Sequence, residues 1–216
     1  MKLRSDFPET IRNVFFDFGG VIMDVELSRT VEAFRAMGVT RLSVEETQVG
    51  AGTFFEDHER GTLSSDAFLA RLRERIPGGD AMPAEKIWSA WNLLLGEFLP
   101  ERVALLRTLA RERRYRIFVL SNTNPPHRAR FREIFRETCG GEFDALFEKT
   151  FYSDELLAVK PEPEIYDRAA ALAGVLPAET LFIDDNPKNV AGARARGWNA
   201  YHLRVGEESI LDLFVE

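Results

Sequence analysis

At 216 residues with 45% hydrophobic side chains, the chain can bury a sizeable core, which argues against a disordered polypeptide. A net charge of -7 argues against a nucleic-acid partner, whose phosphates are held chiefly by Lys and Arg, and no apolar run reaches the ~18 residues of a membrane span. The single cysteine, Cys139, permits no intrachain disulfide, and the N-terminus lacks the apolar stretch of a secretory signal, so the expected compartment is the reducing cytoplasm.

The first element in chain order is the apolar run Val14-Phe15-Phe16, which reads as a buried strand ending at Asp17-Phe18-Gly19-Gly20. A carboxylate at such a strand end can act as nucleophile or metal ligand, and the glycines let backbone approach a ligand; a turn former or cap would leave the same pattern. Residues 25–98 then show helical periodicity over Arg29 to Met37, Ser65 to Ile76 and Ala84 to Leu95, with no clear strand between, and read as an inserted helical cap. Inside it Phe55 to Gly61 and Pro77 to Asp80 are expected to be loops. Trp88 and Trp91, at helical spacing, belong to the cap's own core, and Gly96 to Pro100 form the return linker. The insertion holds more acidic than basic residues, which suits a small substrate better than a polyanion.

A helix is expected next over Glu101 to Arg111, with the basic run Arg111, Arg113, Arg114 and Arg116 placed to complement its C-terminal dipole. The second buried strand, Ile117 to Leu120, ends at Ser121-Asn122-Thr123-Asn124. Ser121 offers a hydroxyl and its neighbours offer N–H groups to an anion, although a turn residue alone would explain it. Arg128, Arg130, Arg132 and Arg136 read as one solvated helix flank. Lys160, followed by Pro161, is either a cation facing crowded carboxylates or an exposed loop lysine. After a helix over Pro163 to Ala173, the third strand, Leu181-Phe182-Ile183, ends at Asp184-Asp185 and leads into a helix over Lys188 to Arg196. Adjacent carboxylates repel unless a cation or hydrogen bonds offset the repulsion, and Mg²⁺ suits an all-oxygen set of Asp17, Asp185 and a backbone carbonyl; capping of the following helix is the alternative. Strands alternating with helices predict an α/β fold with a parallel sheet, in which all three polar clusters converge at the carboxyl ends of the strands.

In the order strand-Asp, strand-Ser, Lys-Pro, strand-Asp-Asp, the segments FFDFGGVIMD, VLSNTN, VKPEPEIY and FIDDNPKN resemble the haloacid dehalogenase superfamily over nearly the whole chain. Within it the chain looks like the sugar-phosphate phosphatase branch. The resemblance implies a Rossmann-like three-layer core of residues 1–24 and 99–216, a helical cap of residues 25–98, and a Mg²⁺-dependent hydrolase of a small phosphorylated metabolite. It further implies that Asp17 attacks phosphorus and becomes an aspartyl phosphate, that Ser121, Asn122 and Lys160 hold the phosphoryl oxygens, and that Asp17, the Gly19 carbonyl, Asp185 and the adjacent Asp184 form the metal site.

The pattern breaks at Gly19, where most phosphatases of the superfamily carry a second aspartate. That aspartate protonates the leaving group and then takes a proton from water, a role typically worth ~10²–10⁴ in rate. Either the substrate has a good leaving group, as an anomeric sugar phosphate or an acyl phosphate does, or a water or cap residue moves the proton. His58 and Glu59 are the candidates, which the family's geometry would set over the crevice, and His58 is also an expected substrate contact. Asp24 matches an aspartate near the start of the cap and is expected to be structural. Two other readings stay open. A 2-haloacid dehalogenase shares the nucleophile and lacks the second aspartate but uses no metal, against which the Asp184-Asp185 pair speaks. A binding or regulatory module could keep the fold without turnover.

Overall fold

The computed structural model describes residues 1–47 and 52–215. The chain opens with strands β1 (Lys2–Leu3), β2 (Asn13–Phe16) and β3 (Met23–Val25). Helices α1 (Leu27–Ala36), α2 (Phe54–Glu59), α3 (Ser65–Arg75) and α4 (Ala84–Trp91) follow. Strand β4 (Leu95–Phe98) leads to α5 (Pro100–Glu112), β5 (Arg116–Ser121) and α6 (Pro125–Cys139). The chain continues through β6 (Lys149–Tyr152), the single turn α7 (Ser153–Leu156), α8 (Pro163–Ala173), β7 (Thr180–Asp184), α9 (Pro187–Ala195), β8 (Asn199–His202) and β9 (Phe214–Val215).

Five strands pair in parallel in the order β6-β5-β2-β7-β8, so β2 lies at the centre. A parallel sheet is covered on both faces, which is why all four residues of β2 are buried and its sequence is a continuous apolar run instead of an alternating one. Side-chain alternation sends Val14 and Phe16 to one face, where they meet Leu106 of α5 and Phe131 and Phe135 of α6. Phe15 points the other way, against Phe118, Tyr166 of α8, Ala193 of α9 and Trp198. These helices on both faces complete a three-layer α/β core. The register pairs Phe16 with Val119 on one side and Ile183 on the other, so Asp17, Ser121 and Asp184 come out at one edge of the sheet.

A third apolar cluster, including Phe34, Phe55, Phe68, Leu72, Ile87 and Trp91, is built from the segment that carries α1 to α4. The chain enters and leaves that segment through the antiparallel pair β3–β4. Residues 95–98, expected to end a helix and begin a loop linker, are therefore a strand. Gly96 permits it, because a Cβ there would fall 2.7 Å from the Asp24 carbonyl oxygen. The expected loop at Phe55 to Gly61 is for the most part α2, held by the rings of Phe54 and Phe55 against Phe68. The arginine flank of α6 is also not uniformly solvated. Arg128 is half-buried, paired with Asp154 and Glu155 and lying over the ring of Tyr152, and Arg132 pairs with Asp144 at 2.7 Å, whereas Arg130 is half-exposed and Arg136 exposed. Among the described residues no helix is long and apolar enough to cross a membrane.

Candidate active site

The carboxyl edge of the sheet brings the strand-end residues together. Asp17 extends the ladder of β2 by one residue, its N–H donating to the Ile183 carbonyl at 2.8 Å, and its side chain is left at the mouth of a cavity with the residue 8% exposed. Lys160 arrives from the loop before α8, and its Nζ lies 2.7 Å from Asp17 Oδ1 and 2.6 Å from Asp184 Oδ2, with the residue only 2% exposed. The exposed-loop alternative for Lys160 does not hold. Asn122 grips the backbone of Lys160 from both sides: its Oδ1 accepts from the Lys160 N–H at 2.8 Å and its Nδ2 donates to the Lys160 carbonyl at 3.0 Å. Asn122 therefore positions Lys160, although its residue also lines the cavity.

Asp184 is fully buried, and its oxygens accept from the Asn186 N–H, from Asn189 Nδ2 and from Lys160 Nζ. Those donors use it as the anchor of Lys160. Asp185 faces the cavity instead, and its carboxylate sits so close to Gly20 that a Cβ there would fall 2.5 Å from Asp185 Oδ2. Gly20 also has φ +73, so glycine is required there twice over. Carboxylate oxygens of Asp17, Asp184 and Asp185 all lie within 4.8 Å of one another.

Burial pushes the Asp17 carboxyl above the ordinary carboxylate range; Lys160 opposes the shift, and Asp184 and Asp185 add to it. Asp185 is raised in the same way, by burial first and then by Asp184. Burial works against the Lys160 ammonium, but Asp17 and Asp184 outweigh it and keep the charge in place. With all three carboxyls ionised, as a nucleophilic and metal-binding site needs, one ammonium leaves two negative charges uncompensated, the charge of one divalent cation. An all-oxygen donor set suits Mg²⁺ better than a softer metal, and Asp17 and Asp185 fit as its ligands, with Gly19 beside them on the cavity wall.

The cavity measures about 710 Å³ and also takes in Ser121 from the end of β5, Glu59 from the end of α2, and Asp24. Asp24 is held by Arg102 at 2.7 Å. Glu59 and its neighbour His58 part company, because successive helical residues point about 100° apart. His58 is 1% exposed, stacks on Phe68 with ring centroids 4.0 Å apart, lies 3.2 Å from Ser65 Oγ and does not line the cavity. The expected substrate contact through His58 is thus corrected: the imidazole belongs to the apolar cluster of α1 to α4, where burial pushes it down to about 4.

Several contacts around the site were not foreseen. Asn189 secures Asp184, and Ser153 Oγ donates to the Glu59 carbonyl at 2.6 Å. Arg60 reaches Glu162 with two bonds of 2.6 and 2.7 Å. The spacing of Asn186 and Asn189 after the strand-end aspartates was the one available signal, since an N-cap and a residue three positions later face the same strand end. Asn186 does cap α9, its side chain accepting from the Lys188 N–H at 2.9 Å.

A family model described as haloacid dehalogenase-like hydrolase matches residues 11–197. The chain is 28% identical over 205 residues to a D-ribitol-5-phosphate phosphatase of Bacteroides thetaiotaomicron, covering 92% of this chain and 94% of the relative. A crystal structure of a HAD family enzyme from the same species, in complex with magnesium and inorganic phosphate, superposes with a TM-score of 0.82 at 32% identity, over 92% of this chain and 96% of that one. A dehalogenase structure superposes less closely, with a TM-score of 0.61 at 21% identity over 94% of this chain and 88% of that one.

Proposed function

Since the chain belongs to the haloacid dehalogenase-like hydrolases, we propose that it is a Mg²⁺-dependent phosphatase that hydrolyses a small phosphate ester through an aspartyl phosphate on Asp17. The observation that carries this reading is the buried group of Asp17, Asp184 and Asp185 around Lys160, with its deficit of two positive charges. Asp17, Asp185 and the Gly19 carbonyl would hold the Mg²⁺, which would supply that charge and offset the repulsion between the nucleophile and an anionic substrate. Lys160, fixed by Asn122 and Asp184, and the Ser121 hydroxyl donate to the phosphoryl oxygens, so that charge is met where it develops during transfer. The Asp17 carboxylate attacks phosphorus as the ester P–O bond breaks and the alcohol departs, and water then hydrolyses the aspartyl phosphate, releasing orthophosphate and freeing Asp17.

Residues 1–24 and 99–216 serve in this reading as the catalytic core, and residues 25–98 as a cap that closes over the substrate. A small sugar or polyol phosphate in the cytoplasm is the substrate we favour, because the relative of 28% identity is a ribitol-phosphate phosphatase and the cavity is lined by polar groups from both parts. The dehalogenase reading is weaker, since metal-free chemistry leaves the surplus carboxylates facing a carboxylate substrate. A module without turnover is also weaker, since it has no use for a nucleophile and a lysine held this closely.

Phosphate release from sugar, polyol and acyl phosphates and from p-nitrophenyl phosphate, measured with and without Mg²⁺, tests the proposal. Turnover should require Mg²⁺ and fall to background in Asp17→Asn. Undiminished release by Asp17→Asn ends the assignment of the nucleophile.

A further inference from the structure

Gly19 has no side chain to move a proton, so a side chain that does so must come from elsewhere on the cavity wall. Most titratable groups there are engaged. Asp17, Asp185 and Lys160 belong to the nucleophile, metal and phosphate sites, and Asp24 is tied to Arg102. The buried His127 ring is held at both nitrogens, Nδ1 by Asn124 and Nε2 by the Trp91 carbonyl. Lys188 lies on the exposed rim. Glu59 remains.

Three contacts hold Glu59 in place from the opposite side of the crevice. Ser153 Oγ donates to its carbonyl at 2.6 Å, the next residue, Arg60, bridges to Glu162, and Gly61 lies so close to α7 that a Cβ there would fall 2.2 Å from the Asp154 carbonyl oxygen. The end of α2 is thereby pressed onto the core while Glu59 lines the cavity shared with Asp17 and Lys160, its carboxyl within electrostatic reach of Lys160. We propose that Glu59 is the proton donor and acceptor of this site, doing from the cap what a second aspartate at position 19 would do from the core; the proposal rests on the phosphatase reading above.

The charged groups facing Glu59 come from three elements: Lys160 from the loop before α8, Glu56 from its own helix and Asp154 from α7, while Arg60 is taken up by Glu162 and Glu56. Burial dominates; Lys160 opposes it, Glu56 and Asp154 reinforce it, and the carboxyl is pushed up to about 8. Glu59 is then a carboxylic acid at neutral pH, the form a donor needs. As the bond from Asp17 to phosphorus forms and the ester P–O bond breaks, the Glu59 proton passes to the departing oxygen, giving a neutral alcohol and a Glu59 carboxylate. Water next attacks the aspartyl phosphate and yields its proton to Glu59. The bond between phosphorus and the Asp17 oxygen breaks, and orthophosphate leaves with the Asp17 carboxylate and the Glu59 acid restored.

The test compares the wild type, Glu59→Gln and Asp17→Asn, each with Mg²⁺, on the most rapidly hydrolysed alkyl phosphate and on p-nitrophenyl phosphate, whose leaving group departs without protonation. In Glu59→Gln, kcat/KM on the alkyl ester should fall by ~10²–10⁴, the range of a positioned acid, and by less than about tenfold on the nitrophenyl ester. The wild type should lose kcat/KM on the alkyl ester as pH rises through about 8, where the acid form disappears, and the variant should lack that limb. Equal losses on both esters, or an alkyl rate within about threefold of wild type, overturn the role of Glu59 while an inactive Asp17→Asn leaves the phosphatase reading standing. A wild type that releases phosphate from neither ester overturns both. If Glu59→Gln does not fold, the wild type decides alone: kcat/KM should stay nearly level as leaving-group basicity rises, and a steep decline removes the proposal.

Discussion

An ammonium taken out of water costs several kcal/mol unless it is paired, and Lys160 meets that cost with two carboxylates at 2.6 and 2.7 Å. The converse holds for Asp184, which is buried on the assumption that Lys160 is present. Lys160→Met should therefore destabilise the fold by about 3–5 kcal/mol in urea unfolding as well as abolish turnover, because it leaves a buried charge unmatched. Lys188→Met, on the exposed rim of the same cavity, should change stability by less than ~0.5 kcal/mol. Similar small losses in both variants would mean that Lys160 does not carry the charge balance. Position at a strand end made Asp17, Ser121 and Asp185 legible in the sequence, since a run of buried apolar residues names the edge at which its successor emerges. What a side chain does once it is there was less legible. Asn122 turns back onto Lys160, Asp184 is consumed as an anchor, and the choice between His58 and Glu59 depended on the phase of a helix where the sequence suggested a loop.

The end of α2 is tied to the core by one hydroxyl bond from the buried Ser153 and by one two-pronged ion pair on half-exposed surface. Such pairs contribute little to global stability, roughly 1 kcal/mol or less, yet this one fixes a single helix end over the proposed reaction centre. Glu162→Gln should consequently leave the melting temperature within about 3 °C of wild type, the shift that 1 kcal/mol gives in a chain of this length, while lowering kcat/KM for an alkyl phosphate several-fold. A variant with unchanged kinetics would show that the Arg60 bridge does not position α2. The elements that could be read from sequence are those whose burial is uniform or strictly periodic. Strands β2, β5 and β7 lie inside the sheet and read as apolar runs, and α8 begins at Pro163 and stops before Gly174, whose φ of +63 favours glycine. The edge strands β6 and β8 did not stand out, because KTFY and NAYH keep polar, partly exposed residues that their neighbours alone hold in register. Strand β4 was hidden for a similar reason, its glycine looking like a linker until the partner β3 is in view.

Across the whole molecule, a chain of net charge -7 gathers three carboxylates at the edge of its central sheet, so the folded state without a cation carries a local repulsion that the unfolded chain does not. A ligand that binds only the folded form stabilises it by mass action, by about 2.7 kcal/mol at a concentration 100 times its Kd. For a chain of this size, each kcal/mol moves the midpoint by about 2–4 °C, so saturating Mg²⁺ should raise the melting temperature by roughly 5–11 °C over a sample in EDTA. Asp185→Asn removes one of the surplus charges together with a proposed metal ligand. In EDTA it should therefore melt at or above the wild type, and its response to Mg²⁺ should disappear. The two effects have opposite signs and one cause, which separates them from a general loss of packing; a full Mg²⁺ shift in Asp185→Asn would place the cation away from Asp17 and Asp185.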